Sequence, residues 1–196
     1  MTASRVIEQA AEAEHRLLEP VLELNGSALI RALTPLAKAA DEPPLIALSL
    51  ATLATGAVLR HPRTLRTGAR MFAAHLVANG LKTVLKGAVD RRRPNAVEDG
   101  PEIKPGSGTD DKAANAFPSG HTAGALAVAQ AVAHEVPRFA APARVVAVIA
   151  GGMQVPRGAH YASDVLSGAI VGWVSERIAG VVLDRGEQAV RRYVLR

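Results

Sequence analysis

Cysteine is absent from the 196 residues, which removes disulfides, thiolate catalysis and zinc–thiolate sites together. Aromatic side chains are scarce, at 3% of a chain that is 48% hydrophobic. A water-soluble core of this size usually carries more Phe, Tyr and Trp. A chain rich in Ala, Val, Leu and Gly suits helices that approach closely, as in a membrane bundle. Lysine is also rare. Of 23 positive residues five are Lys and the rest Arg, against 18 acidic residues and a net charge of +5. That bias favours planar recognition of phosphate or carboxylate. No aromatic platform accompanies the arginines, so nucleic acid is not an expected partner. The apolar content excludes disorder, and the length fits one domain.

Residues 1–24 carry Val6, Ile7, Ala10, Ala13, Leu17, Leu18 and Val21 at helical spacing with Glu8, Glu12, Glu14 and Arg16 between them. That pattern is an amphipathic helix, and its acidic residues argue against a signal peptide. Residues 27–40 are mixed, with Arg31 and Lys38, and suit an interface. After Asp41–Pro44 comes an apolar run without a charge, Leu45 to Leu59, which is 17 residues long when counted from Pro43. A bilayer span needs about 20. The patch Arg60, Arg63, Arg66 and Arg70 follows, then helical segments over 69–86, 120–135, 141–155 and 162–183. Residues 94–118 are rich in Gly, Pro and acidic residues and read as a loop covering a site, with Glu98, Asp99, Glu102, Asp110 and Asp111 solvated. No stretch alternates with a strand period. The expectation is an all-α membrane helical bundle of about five to six helices. Residues 1–42 form an amphipathic N-terminal segment and 43–196 the bundle, in a single domain.

Basic residues sort by side. If Arg60–Arg70 is cytoplasmic, two further crossings return Arg138 and Arg144 to that side, and two more return Arg185, Arg191, Arg192 and Arg196. Residues 87–120 and 156–164 then share the opposite face. The embedded His75, Lys82 and Glu176 and the short apolar runs speak instead for a soluble bundle.

Three segments carry chemistry. Lys86 and Arg93 are seven apart, so a continued helix would project both from one face to grip a tetrahedral anion. A solvated basic helix end has the same spacing. Pro118-Ser119-Gly120-His121 opens an apolar helix, with Ser119 as N-cap and free N–H groups suited to phosphate. An ordinary capped helix with a surface His reads alike. His160 and Asp164 are four apart, so a carboxylate can hold one imidazole nitrogen and leave the other free to act as base or nucleophile. A stabilising helical pair fits equally well. All three fall at segment ends on one face, where the parts of a phosphoryl-transfer site would meet. His75 and His134 read as packed or exposed imidazoles, and His15 and His61 carry no signal.

These motifs resemble the type 2 phosphatidic acid phosphatase superfamily, which shares its helical core with bacterial class A acid phosphatases and vanadium haloperoxidases. Its signature is K-x6-RP, PSGH and SR-x5-H-x3-D. Lys86, Arg93 and Pro94 match the first part, Pro118 to His121 the second, and His160 and Asp164 the end of the third. The resemblance covers about residues 43–183. It implies that His160 takes the phosphoryl group as a phosphohistidine, Asp164 orients it, and His121 protonates the leaving oxygen. Lys86, Arg93, Ser119 and the Gly120 amide would hold phosphate oxygens, with no metal and no cofactor.

The third motif departs at its opening, where Met153 and Gln154 replace Ser-Arg. Gln carries no charge; Arg91 or Arg92 could supply one, and Arg157, between Pro156 and Gly158, is the preferred candidate. The resemblance implies a phosphatase acting on a lipid phosphate or polyprenyl diphosphate monoester, integral to a bacterial-type inner membrane with its site on the non-cytoplasmic face. The alternatives are a soluble acid phosphatase on the same fold and a non-catalytic phosphate- or lipid-binding membrane protein. Oligomeric state is not legible.

Overall fold

The computed structural model describes residues 3–97 and 100–194. Glu98, Asp99 and Arg196 lie outside the described residues. Among these residues the chain forms seven α-helices: α1 (Ala3–Leu22), α2 (Ala28–Ala39), α3 (Glu42–Val58), α4 (Pro62–Ala88), α5 (Gly120–Glu135), α6 (Ala140–Gly152) and α7 (Ala162–Val194). The expected all-α bundle is observed with a slightly higher helix count. The addition is α2, which the mixed residues 27–40 did not announce. Ser27 caps it by accepting from the Ile30 N–H at 3.3 Å, and Ile30 and Ala37 give it a buried face.

One departure from the all-α expectation is a short ladder. Strands β1 (Val89–Arg91) and β2 (Ile103–Pro105) pair antiparallel, with Asp90 opposite Lys104. Three-residue strands are too short to display alternation, so the sequence could not announce them.

The helix starts follow from local chemistry. Asp41 and two prolines open α3; His61, whose Nδ1 accepts from the Thr64 N–H, and Pro62 open α4; Ser119 opens α5. Proline in the first helical turn loses no hydrogen bond there. Helices α4, α5 and α7 pack together through Met71, Ala74, Ala78, Ala127, Ala131 and Ala179. Large apolar side chains stand outside: Leu48, Val58, Leu76, Val84, Val148, Leu166 and Ile170 are all exposed. Small residues within and large apolar ones without are the packing of helices in an apolar solvent. A protein in water rarely leaves so much apolar surface uncovered. Helix α7 is long and apolar enough over Ala162–Tyr193 to cross a bilayer, while Glu42–Val58 is apolar but shorter.

The basic patch at the start of α4 is part of the helix, which begins at Pro62 rather than at 69. Arg66 reaches Glu135 at 3.0 Å and Asp184 at 2.6 Å, and also pairs with Glu187. Arg70 joins Glu176 at 2.7 Å and Glu135 at 3.1 Å, with Arg70 and Glu176 buried. The embedded Glu176 is therefore paired, which removes its weight as an argument for a soluble bundle. This network ties α4, α5 and α7 at one end and leaves the other end for the three motifs.

Helices α3 and α4 cross at Gly56 and Gly68, where a Cβ would overlap the backbone of Leu65 and of Leu53 respectively. Gly68→Val is expected to destabilise the protein by about 1–3 kcal/mol or more, because the backbones must separate. Unfolding in detergent micelles measures it, and an unchanged midpoint would show that the crossing has room.

Candidate active site

Lys86 lies in the last turn of α4, but the helix stops at Ala88 and the chain turns into β1. The expectation that Lys86 and Arg93 share the face of one continued helix is therefore corrected. The ladder withdraws residues 89–91 from the helix, and Pro94 holds Arg93 extended at φ −71°, ψ 147°. The two cations nevertheless line one cavity, reached from a helix end and from the far side of a strand.

Three backbone hydrogen bonds join the motifs. The Ala116 N–H donates to the Arg91 carbonyl at 2.9 Å, the Ser119 N–H to the Asp164 carbonyl at 3.0 Å, and the Asn95 N–H to the Gly158 carbonyl at 3.0 Å. Segments 25 to 63 residues apart in sequence are thereby held within one hydrogen-bond length.

The resulting cavity, about 170 Å³, is lined among others by Lys86, Arg93, Gly120, His121 and His160. The His121 and His160 ring centroids stand 6.3 Å apart, edge to face. Lys86 Nζ donates to the Asn115 carbonyl at 2.5 Å and to Asn115 Oδ1 at 3.3 Å. The buried Nε of Arg93 has no hydrogen-bond partner among the described residues. Burial lowers the Arg93 pKa, yet a guanidinium stays charged at any ordinary pH. An unpaired N–H on a half-buried cation is a donor awaiting an anion.

His160 is almost wholly buried. Its Nδ1 lies 2.7 Å from the Ala116 carbonyl oxygen. A carbonyl only accepts, so this contact assigns the proton to Nδ1 and leaves Nε2 with a bare lone pair. Asp164 stands at 3.8 Å from the same Nδ1, an ion-pair distance beyond a hydrogen bond. The orienting acceptor in contact with the ring is thus a backbone carbonyl, and no sequence pattern could have disclosed it. Burial lowers the His160 pKa and the Arg93 and Lys86 charges lower it further, with Asp164 opposing them. The imidazole is neutral at neutral pH.

Asp164 is fully buried and its carboxylate is engaged elsewhere. It accepts from the Tyr161 N–H at 2.8 Å and from Arg91 at 2.6 Å. Arg91 in turn reaches Glu14 of α1 at 2.7 Å and lies 4.0 Å over the Tyr161 ring. Glu14 also accepts from the Ser163 N–H and hydroxyl, each at 2.8 Å. His15 Nδ1 meets the Tyr161 hydroxyl at 3.1 Å, whose pKa burial pushes up to about 12. The N-terminal helix, with Glu14 and the His15 that carried no signal, therefore buttresses the His160 loop. Its helical spacing showed an apolar face but gave no hint of where that face docks.

His121 Nε2 lies 2.5 Å from Asp41 Oδ1 at the start of α3, a partner that sequence reading missed. Asp41 precedes a Pro-Pro helix start, which marks a cap and nothing more. Ser119 does not line the cavity; its Oγ accepts from the Thr122 N–H at 3.4 Å and from the Thr122 hydroxyl at 3.0 Å. Gln154 turns back onto α6, its Nε2 donating to the Ala150 carbonyl at 3.1 Å, and it too stays outside the cavity. Arg157 makes no hydrogen bond or ion pair among the described residues, and its charge acts on His121.

A family model described as PAP2 superfamily matches residues 67–184. A curated lipid A 1-phosphatase from Rhizobium etli is 36% identical over 111 residues, which is 55% of this chain and 47% of that protein, so the match spans about half of the relative's length. Two crystal structures share the fold. One is Aquifex aeolicus LpxE, at TM-score 0.63 and 22% identity over 84% of this chain and 92% of the other. The second is the transmembrane PAP2 type phosphatidylglycerolphosphate phosphatase from Bacillus subtilis, at TM-score 0.66 and 21% identity over 92% and 87%.

Glu14→Ala should free the His160 loop from α1. Loss of these charged hydrogen bonds is expected to speed amide exchange at residues 159–163 about tenfold or more. Exchange unchanged from the parent protein would mean that α1 does not support the loop.

Proposed function

The chain belongs to the PAP2 superfamily, and on that premise we propose that it hydrolyses a lipid phosphate or polyprenyl diphosphate monoester through a phosphohistidine. The observation that carries the reading is the pair of imidazoles 6.3 Å apart on a cavity shared with Lys86 and Arg93. The name of the Rhizobium etli relative supports a lipid phosphate as substrate.

In this mechanism the bare Nε2 of His160 attacks phosphorus as the ester P–O bond breaks. Lys86, Arg93 and the backbone N–H of Gly120 stabilise the charge on the equatorial oxygens. His121, once protonated against Asp41, gives its proton to the departing alkoxide. A water then attacks the phosphohistidine, His121 takes its proton, and phosphate leaves with His160 restored to its starting form. Asp164 acts through the loop, by holding Arg91 and the Tyr161 N–H. Ser119 acts by fixing the first turn of α5. Arg157 replaces the missing arginine of the third motif, swinging its unpaired guanidinium onto the phosphate. No step calls for a metal or a cofactor.

We place residues 43–196 as a bundle in a bacterial-type inner membrane, with the site on the non-cytoplasmic face and residues 1–42 packed against it as part of one domain. The outward Leu, Val and Ile side chains favour this over a soluble acid phosphatase.

Phosphate release from phosphatidate and from farnesyl diphosphate in detergent, with EDTA present, tests the reading. His160→Gln is expected to abolish release, and Arg157→Ala to cut it by ~10²-fold, the typical cost of an oxyanion donor. Equal release by the His160→Gln and parent proteins would leave a phosphate-binding protein without catalysis. A parent-level rate for Arg157→Ala would remove that residue from the site.

The pH dependence follows from the depressed His160 pKa. The nucleophile must be neutral, and its folded pKa lies below the ordinary 6.5. Activity should therefore persist as pH falls through 6.5 and fail only below it. A kcat/KM profile whose acid limb lies above 6.5 would contradict this.

A further inference from the structure

The cavity extends beyond the phosphate cations. Its remaining wall includes Glu42 at the start of α3 and His75, Asn79 and Lys82 on α4. The three α4 residues fall at spacings of four and three, so they form one helical face that continues to Lys86. Glu42 is already organised, since Oε1 accepts from Asn79 Nδ2 at 3.0 Å and Oε2 faces Lys82 Nζ at 3.5 Å.

His75 is the anomaly. It is 4% exposed, and both of its ring nitrogens are buried without a hydrogen-bond partner among the described residues. Room for the ring depends on Gly124, where a Cβ would lie 3.1 Å from His75 Cε1 and 3.2 Å from Nδ1. A buried polar group without a partner costs stability. An apolar side chain would fill the same gap without that cost. An orphaned imidazole on the wall of a ligand cavity is accounted for if the ligand supplies the missing partners.

The geometry points to a hydroxyl-recognition subsite, in which His75, with Asn79 and Glu42, binds a free hydroxyl on the alcohol side of the phosphomonoester. This rests on the reading that the phosphate sits against Lys86 and Arg93, and it narrows the substrate to a polyol head, such as a sugar or glycerol phosphate. A neutral imidazole offers one donor and one acceptor, and a hydroxyl answers both. A second phosphate would present acceptors alone, and it would meet the Glu42 carboxylate, which already faces the cation of this wall, Lys82, at 3.5 Å. The subsite therefore disfavours the diphosphate of a polyprenyl chain.

Full-length protein in detergent, carrying His160→Gln so that nothing is turned over, is titrated calorimetrically with glycerol 1-phosphate and with methyl phosphate. Glycerol 1-phosphate is expected to bind about tenfold more tightly, as one buried hydrogen bond allows. Adding His75→Leu should erase that preference, and His75→Gln, which keeps a donor and an acceptor, should restore most of it. Asn79→Leu, on the exposed side of the subsite, should reduce the same ratio and serves if His75→Leu does not fold. Equal affinities for the two probes, or equal weakening of both by His75→Leu, would overturn the proposal and leave the imidazole to an ordered water. The preference seen in a parent protein that releases phosphate from no lipid would keep the subsite and reject the phosphatase. Turnover without the preference would do the reverse.

Discussion

A fully buried carboxylate has to be neutralised by something, and here Arg91 does it for Asp164 at 2.6 Å. Breaking such a pair by removing one partner typically costs about 3–5 kcal/mol, because the surviving charge stays out of water. The pair links the segment after α4 to the start of α7, and Glu14 extends it to α1. Its partners reach the reacting group indirectly. Asp164 fixes the Tyr161 N–H, and Arg91 gives its carbonyl to Ala116. The Ala116 carbonyl then sets the tautomer of His160. One buried ion pair thus stands behind the backbone contact that leaves Nε2 of His160 free, without touching the ring by a hydrogen bond.

What was legible in the sequence divides along physical lines. Lys86, Arg93, Gly120, His121 and His160 were readable because their motifs need fixed residue types at fixed spacing, and all five line one cavity. The helices were readable from apolar runs and caps, except α2, whose short apolar run is interrupted by Arg31, Thr34, Pro35 and Lys38. The ladder that turns Arg93 back toward Lys86 was not readable at three residues a strand. Neither were the partners supplied by distant chain. Asp41 for His121, Asn115 for Lys86 and Glu14 for Arg91 are common residue types in unremarkable settings. The Ala116 carbonyl carries no side-chain signal at all, because any residue supplies a carbonyl.

The scarcity of aromatic residues finds its explanation in the packing. The α4–α5–α7 core is built from alanines, which let backbones approach and so carry the Lys86 end of α4 close to the start of α5. Bulk is displaced to the outer surface, where Leu166, Ile170 and Val182 are exposed. In water that arrangement would lose the burial that drives folding. Against lipid tails the loss vanishes, and small-residue contacts with interhelical polar bonds take over. The ionic network of Arg66 and Arg70 supplies such bonds at the end away from the site.

Where the superfamily signature carries an arginine, position 154 is Gln, and its side chain stays outside the cavity. An arginine at 154 would project from the end of α6. Gln154 instead closes back on the Ala150 carbonyl, and its own carbonyl accepts from the Ala159 and His160 N–H groups. The position has become a fastener for the loop that presents His160. Arg157 lies in the loop so fastened, has no partner among the described residues, and already imposes its charge on His121. If Arg157 takes the role proposed for it, moving the cation from a helix end to a loop exchanges a preorganised charge for one that closes on its ligand. Preorganisation is what makes such a donor effective, so under the proposed mechanism the exchange would trade intrinsic rate for a cation free to follow a bound phosphate.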